Sequence, residues 1–219
     1  MLRLPFAVTQ NWPFRPFAIG TGGFAKEIPK AQSSLSGFVE HRMASALPDI
    51  ISERLAVVFC GINPGMTAAA AGHHFAGRSN RFWRVIHLAG FTPDEILPNN
   101  DRTVLQYGCG LTTVVERPTA RADQLSAPEF RAAATHFEQK IKRYAPRFVG
   151  FLGKAAYSIL SDQRDIAWGP RPVAFGGAAV WVLPNPSGRN RAFTLDRLVS
   201  AYRQLYLAAA TLPPSLVQS

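Results

Sequence analysis

The sequence predicts an α/β three-layer sandwich, a central and mostly parallel β-sheet with helices on both faces. Three observations predict it. Short apolar runs rich in β-branched and aromatic residues, at 55–60, 147–153 and 178–183, alternate with amphipathic helical patterns. Two of these runs end in an Asn-Pro turn, GINPG at 61–65 and PNPSG at 184–188. A chain of 219 residues with 47% hydrophobic side chains is long enough to bury one substantial core.

Residues 1–50 stand apart. NWPFRPFAIGTGGF and AQSSLSGF are rich in Pro, Gly, Ser and aromatics and lack periodicity. They read as an N-terminal extension packing partly through Trp12, Phe14 and Phe17, ahead of a single α/β domain at 51–219. Leu55–Cys60 is the first buried strand, and Asn80–Leu88 reads as a helix. In 127–145, Phe130, Ala134, Phe137, Ile141 and Tyr144 recur at alternating spacings of four and three. That spacing is one apolar helix face, with Arg131, Glu138, Lys142 and Arg143 left for the other. A second strand at Arg147–Gly153 leads into a helix at Lys154–Leu160. A third at Ala178–Leu183 precedes a last helix carrying Leu195, Leu198, Val199, Tyr202, Leu205 and Tyr206.

Lys and Arg number 24 against 14 Asp and Glu, a net charge of +10 with a pI near 10.3. This balance suits a polyanionic partner. Arginines dominate, clustered at Arg78–Arg81–Arg84 and Arg189–Arg191–Arg197, with a mixed cluster at Lys140–Lys142–Arg143–Arg147. The guanidinium fork is suited to phosphate. Cys60 and Cys109 form no CxxC pair and read as reduced, buried thiols. His73 and His74 are adjacent, so their side chains diverge and a shared metal is not expected. No apolar run reaches the length of a membrane span, and Pro5, Gln10, Asn11, Pro13 and Arg15 interrupt any secretory core. The expectation is a cytoplasmic protein, nucleoid-associated if bacterial.

In open parallel sheets, ligands bind beyond the carboxyl ends of the strands. The loops Gly61–Gly65 and Asn185–Arg191 each follow a buried strand, so they are the expected lips of one cleft. Gly61–Phe91 (GINPGMTAAAAGHHFAGRSNRFWRVIHLAGF) and Leu183–Arg191 (LPNPSGRNR), with GLTTVVERPTARADQLSAPEF and FLGKAAYSI between them in order, carry a specific pattern. Across residues 54–207 the chain resembles the mismatch-specific uracil/thymine-DNA glycosylases of the uracil-DNA glycosylase superfamily.

The resemblance implies roles. Asn63 takes the position of the catalytic residue that orients water. An amide suits this chemistry, because hydrolysis through an oxocarbenium-like sugar needs orientation more than a strong base. Phe75 matches the aromatic that stacks on the flipped base, and backbone groups of Ile62 and Phe75 lie where the family reads the base's polar edge. Pro64 and Gly65 shape the loop. Ala68 stands where bacterial members often carry serine and the thymine-active branch carries alanine, so it leaves room for a C5 methyl. Thr113 departs from both branches, while Thr119 keeps the thymine-active pattern. Asn80 supports either the water or the start of its helix. Asn185, Pro186, Ser187, Gly188, Arg189, Asn190 and Arg191 match the loop that enters the gap left by the flipped base. Arg189 replaces a leucine there and is able to stack, read guanine or bind phosphate.

The implied activity is excision of uracil, and of thymine or related bases opposite guanine, from double-stranded DNA with a G:U-type mismatch, by a monomer without metal or cofactor. With no amine nucleophile in place, an abasic site is the expected product. A non-catalytic damage sensor on the same fold and an unrelated enzyme acting on an acidic small molecule are the alternatives. Gly150–Lys154 is not a phosphate loop, since Phe148 stands where its first glycine belongs and Ala155 follows the lysine.

Overall fold

The computed structural model describes residues 47–119, 124–161, 163 and 165–211. The expected N-terminal extension therefore lies outside the described residues up to position 46, with Trp12, Phe14 and Phe17. The elements run β1 (Val57–Gly61), α1 (Met66–Ala71), α2 (Phe82–Ala89), a 3₁₀ segment (Pro98–Tyr107), β2 (Cys109–Thr113), α3 (Ala127–Tyr144), β3 (Phe148–Leu152), α4 (Lys154–Ser161), β4 (Gly169–Pro170), β5 (Ala179–Leu183) and α5 (Leu195–Thr211).

The sheet order is β2-β1-β3-β5-β4. The pairs β1/β2, β1/β3 and β3/β5 are parallel, and the two-residue β4 closes the edge antiparallel to β5. Alternation along each strand splits the core into two layers. Val57, Phe59, Phe148, Leu152, Trp181 and Leu183 point to one face, where Phe82, Trp83 and Ile86 of α2 and Leu198, Tyr202 and Leu205 of α5 cover them. Cys60, Val149, Phe151, Val180 and Val182 point to the other, against Phe130, Phe137 and Ile141 of α3 and Ala156 and Tyr157 of α4. This is the three-layer α/β sandwich expected from the sequence. Both thiols are buried and unpaired, and burial pushes both well above their ordinary range.

The three expected strands and four expected helices are present, with ends displaced by a few residues. The periodicity of α3 is realised with a full capping box. The Ser126 hydroxyl accepts from Glu129 N and the Glu129 carboxylate accepts from Ser126 N. Four elements were not anticipated: α1, the 3₁₀ segment, β2 and β4. β2 is the instructive case. CGLTT carries few strand formers, yet all five residues are buried. Gly110 is required by close approach, because a Cβ there would sit 2.6 Å from Leu55 Cδ1 and 2.9 Å from the Ile50 carbonyl. Ile50 bridges antiparallel to Leu111, so 47–50 pack onto the domain rather than leave it. No described helix is long and apolar enough to cross a membrane.

Candidate active site

The carboxyl ends of β1, β3 and β5 open onto a cleft of about 420 Å³. Its lining includes Ile62, Asn63, Pro64, Gly65, Ala68, Phe75, Asn80, Thr113, Asn185, Ser187 and Arg189. The two strand-end loops thus meet across one space. Pro186, Gly188, Asn190 and Arg191 do not line it.

Asn63 lies two residues past the end of β1 and is half-buried. Its Nδ2 donates to Thr119 Oγ1 at 2.7 Å, to the Arg117 carbonyl at 3.0 Å and to the Pro64 carbonyl at 3.3 Å. Two of these partners are carbonyls, which only accept, so the amide's orientation is fixed. The Oδ1 accepts no hydrogen bond from a described residue. The holding segment is itself pinned to the loop. Val114 N and Val115 N donate to the carbonyls of Gly61 and Ile62, and Thr119 N donates to the Pro64 carbonyl. At the other end, the Arg117 side chain pairs with Glu129 at 2.7 Å, tying this segment to the start of α3.

Pro64 is buried and Gly65 exposed. Gly65 has an ordinary extended conformation (φ −73°), so the backbone does not demand glycine there, and the position a Cβ would take is open. Ala68 is buried on α1, and Thr113 is buried at the end of β2 with its methyl near Gly61.

Phe75 sits at φ +56°, in the left-handed region unusual for an aromatic residue. Its neighbours hold it there. Its ring stacks on Phe82 at 3.9 Å and meets the edge of Trp83. The preceding residue is clamped, with His74 N donating to the buried Asp101 carboxylate at 2.9 Å and the His74 carbonyl accepting from Trp83 Nε1. The His74 ring also lines the cleft, with Nε2 2.9 Å from the Pro48 carbonyl. Burial lowers its pKa, outweighing that carbonyl and Asp101. The imidazole is therefore neutral at pH 7, and donates from Nε2 to Pro48.

Asn80 serves the helix start. Its Oδ1 accepts from Phe82 N at 3.0 Å, in the first turn of α2. The second loop builds itself. Asn185 Oδ1 accepts from Ser187 N, Asn190 Nδ2 donates to the Asn185 carbonyl, and Asn185 Nδ2 donates to the Leu152 carbonyl. Arg81 completes it. Its guanidinium donates to the carbonyls of Pro186 (3.3 Å), Ser187 (3.0 Å), Asn190 (2.9 Å) and Phe193 (2.7 Å). Arg81 was expected among the phosphate-binding arginines. The structure corrects this, because its donors are spent on the loop. Lys140 and Lys142 of the mixed cluster are likewise paired, with Asp49 (2.6 Å) and Glu138 (2.7 Å).

Sequence reasoning missed Arg81 as a loop organiser, Asp101 as the clamp behind Phe75, His74 as a lining residue and Thr119 as the anchor of Asn63. For Asp101, a single acid in LPNNDRTV, no sequence signal pointed to the role.

A larger hollow of about 800 Å³ runs along α3. It includes neither Gly61–Gly65 nor Asn185–Arg191, and two of its charges, Lys140 and Asp49, pair with each other.

Residues 48–208 match the model of the Uracil DNA glycosylase superfamily. Among solved structures, the chain is similar to a putative uracil DNA glycosylase from Methanosarcina acetivorans determined in solution by NMR. The identity is 18%, the TM-score is 0.50, and the match covers 74% of this chain and 98% of the other. At that identity the likeness is one of fold.

Proposed function

The chain belongs to the uracil DNA glycosylase superfamily, a group of DNA glycosylases, and from that premise we propose that it is a monofunctional, mismatch-directed enzyme that excises uracil opposite guanine and leaves an abasic site. The observation that carries the proposal is the orientation of the Asn63 carboxamide. Its nitrogen is committed to Arg117, Thr119 and Pro64, which leaves its oxygen as the acceptor for a water at the cleft.

The target nucleotide rotates out of the duplex into the cleft, at lower cost where pairing is weak. The base lies against Phe75, with Ala68 and Thr113 beside it. As the N-glycosidic bond breaks, its electron pair leaves with the base and the sugar becomes oxocarbenium-like. The water held by Asn63 Oδ1 adds at C1′ and loses a proton, the base gains one, and the products are free base and an abasic sugar. Asn63 supplies orientation rather than strong basicity. Arg189 fills the vacated stack or reads the orphaned guanine. Ala68 gives some tolerance of thymine, and uracil remains preferred.

Duplexes carrying uracil, thymine, ethenocytosine, hydroxymethyluracil or xanthine opposite guanine, scored for abasic sites, test this. Uracil is released fastest, and Asn63→Ala lowers release by roughly 10²-fold or more while duplex binding persists. Binding without release by the wild type sinks the catalytic reading. Equal excision of uracil and thymine sinks the preference, and an Arg189→Ala variant with unchanged rate and mismatch selectivity sinks the role of that side chain.

A further inference from the structure

Resting on the reading that this chain binds DNA, we propose a second nucleic-acid contact. A groove beside the second loop holds an unpaired nucleotide of a bound strand, with its base stacked on Trp168 and its phosphates met by Lys154 and Arg197.

The groove, of about 280 Å³, is lined by residues including Trp168, Trp181, Phe193, Arg197 and Gln204. Trp168 is 41% exposed, unusual for the largest aromatic side chain in a fold that buries most of its rings. Its place in the sheet matters. Gly169 pairs with Val182 near the end of β5, so Trp168 lies at the carboxyl end of that strand, the end that carries both cleft loops. Lys154 opens α4 just after β3, at the same end, and its Nζ lies 4.9 Å from the Trp168 ring centre. Phe193 packs edge-on against Trp168 at 5.4 Å. The Phe193 carbonyl is one of the four held by Arg81, which makes the aromatic pair continuous with the loop expected to enter the duplex.

The chemistry selects the occupant. No acidic residue lines the groove, and neither Lys154 nor Arg197 makes an ion pair with a described residue. Lys154 covers one face of the exposed indole and Arg197 stands in the groove wall, so a base stacked on the remaining face would have cations near its phosphates, without regard to sequence.

The test uses the full chain and a labelled oligothymidylate without uracil, followed by anisotropy and by quenching of intrinsic tryptophan fluorescence. Trp168→Ala weakens binding roughly tenfold and removes most of the quenching, whereas Trp168→Phe keeps most of the affinity. Uracil release from a blunt-ended duplex whose one mismatch is G:U, at saturating enzyme, is unchanged in both variants, which also reports that they fold. Unchanged oligothymidylate binding by Trp168→Ala overturns the proposal. So does a sedimentation result in which that substitution converts a dimer to a monomer while leaving DNA binding intact, since a second copy is then the occupant. Trp168-dependent binding by a wild type that releases no uracil retains this contact and removes the proposed activity instead.

Discussion

Asn63 Nδ2 and Thr119 Oγ1 lie 2.7 Å apart, joining residues 56 positions distant in the chain. The hydroxyl accepts from the amide and so turns the opposite edge of Asn63, its oxygen, away from protein partners. Thr119→Val keeps the volume and removes the acceptor. The rate of uracil release under single-turnover conditions falls about tenfold, the scale of one hydrogen bond. Duplex affinity and thermal midpoint stay close to wild type. An unchanged rate would show that the two carbonyls suffice to hold the amide.

Arg81 ties four carbonyls of the second loop and its exit to the start of α2. A lysine ammonium keeps the charge but cannot span that fork. Arg81→Lys destabilises the fold by about 2–3 kcal/mol, read as a lowered denaturation midpoint. Limited proteolysis then cuts first within 184–193. A phosphate-binding role would give the opposite pattern, with stability preserved and only the salt dependence of DNA binding reduced.

Gly188 fits where no side chain can. A Cβ there would stand 2.5 Å from Ser79 Cβ and 2.6 Å from the Ser79 carbonyl. The loops bearing Asn80 and Arg189 are therefore pressed together at this point. Gly188→Ala forces them apart at a cost of about 1–3 kcal/mol, seen in chemical denaturation, and lowers duplex affinity through the displaced Arg189. Wild-type stability would mean that the contact yields without strain.

Hydrogen bonds from the Arg117 guanidinium and then from Ser126 N hold the Glu129 carboxyl at about 2, down from its ordinary 4.5. A carboxyl depressed in the folded state contributes stability above its unfolded value. The contribution is complete above about pH 4.5 and is lost as pH falls through about 2. Carboxyl-carbon NMR of Glu129 in the folded protein shows a midpoint near 2, and one near 4.5 would mean that the Arg117 pair does not persist in solution. Glu129→Gln weakens the tie between α3 and the segment whose Arg117 carbonyl holds Asn63, and slows uracil release a few-fold.

The sequence by itself determined the layer architecture. Short continuous apolar runs rich in β-branched and aromatic residues suit strands covered on both faces, and a four-three spacing suits one helix face, so Phe59, Phe151 and Val182 announced a sheet and Phe130, Phe137 and Ile141 a helix. The Asn-Pro turns behind two strands also placed Asn63 and Asn185 at the same sheet end, because parallel strands carry their exits together. Only the tertiary structure decided what each polar side chain does with its donors. Arg81 and Arg78 look alike in a string of letters, yet one serves four loop carbonyls. The buried Asp101 that steadies Phe75 is indistinguishable from a surface acid. β2 went unread because its strand character comes from burial between Leu55, Ile50 and β1, not from its own residues. Local propensity is written along the chain, but the pairing of hydrogen-bonding groups depends on which distant segments burial brings within 3 Å.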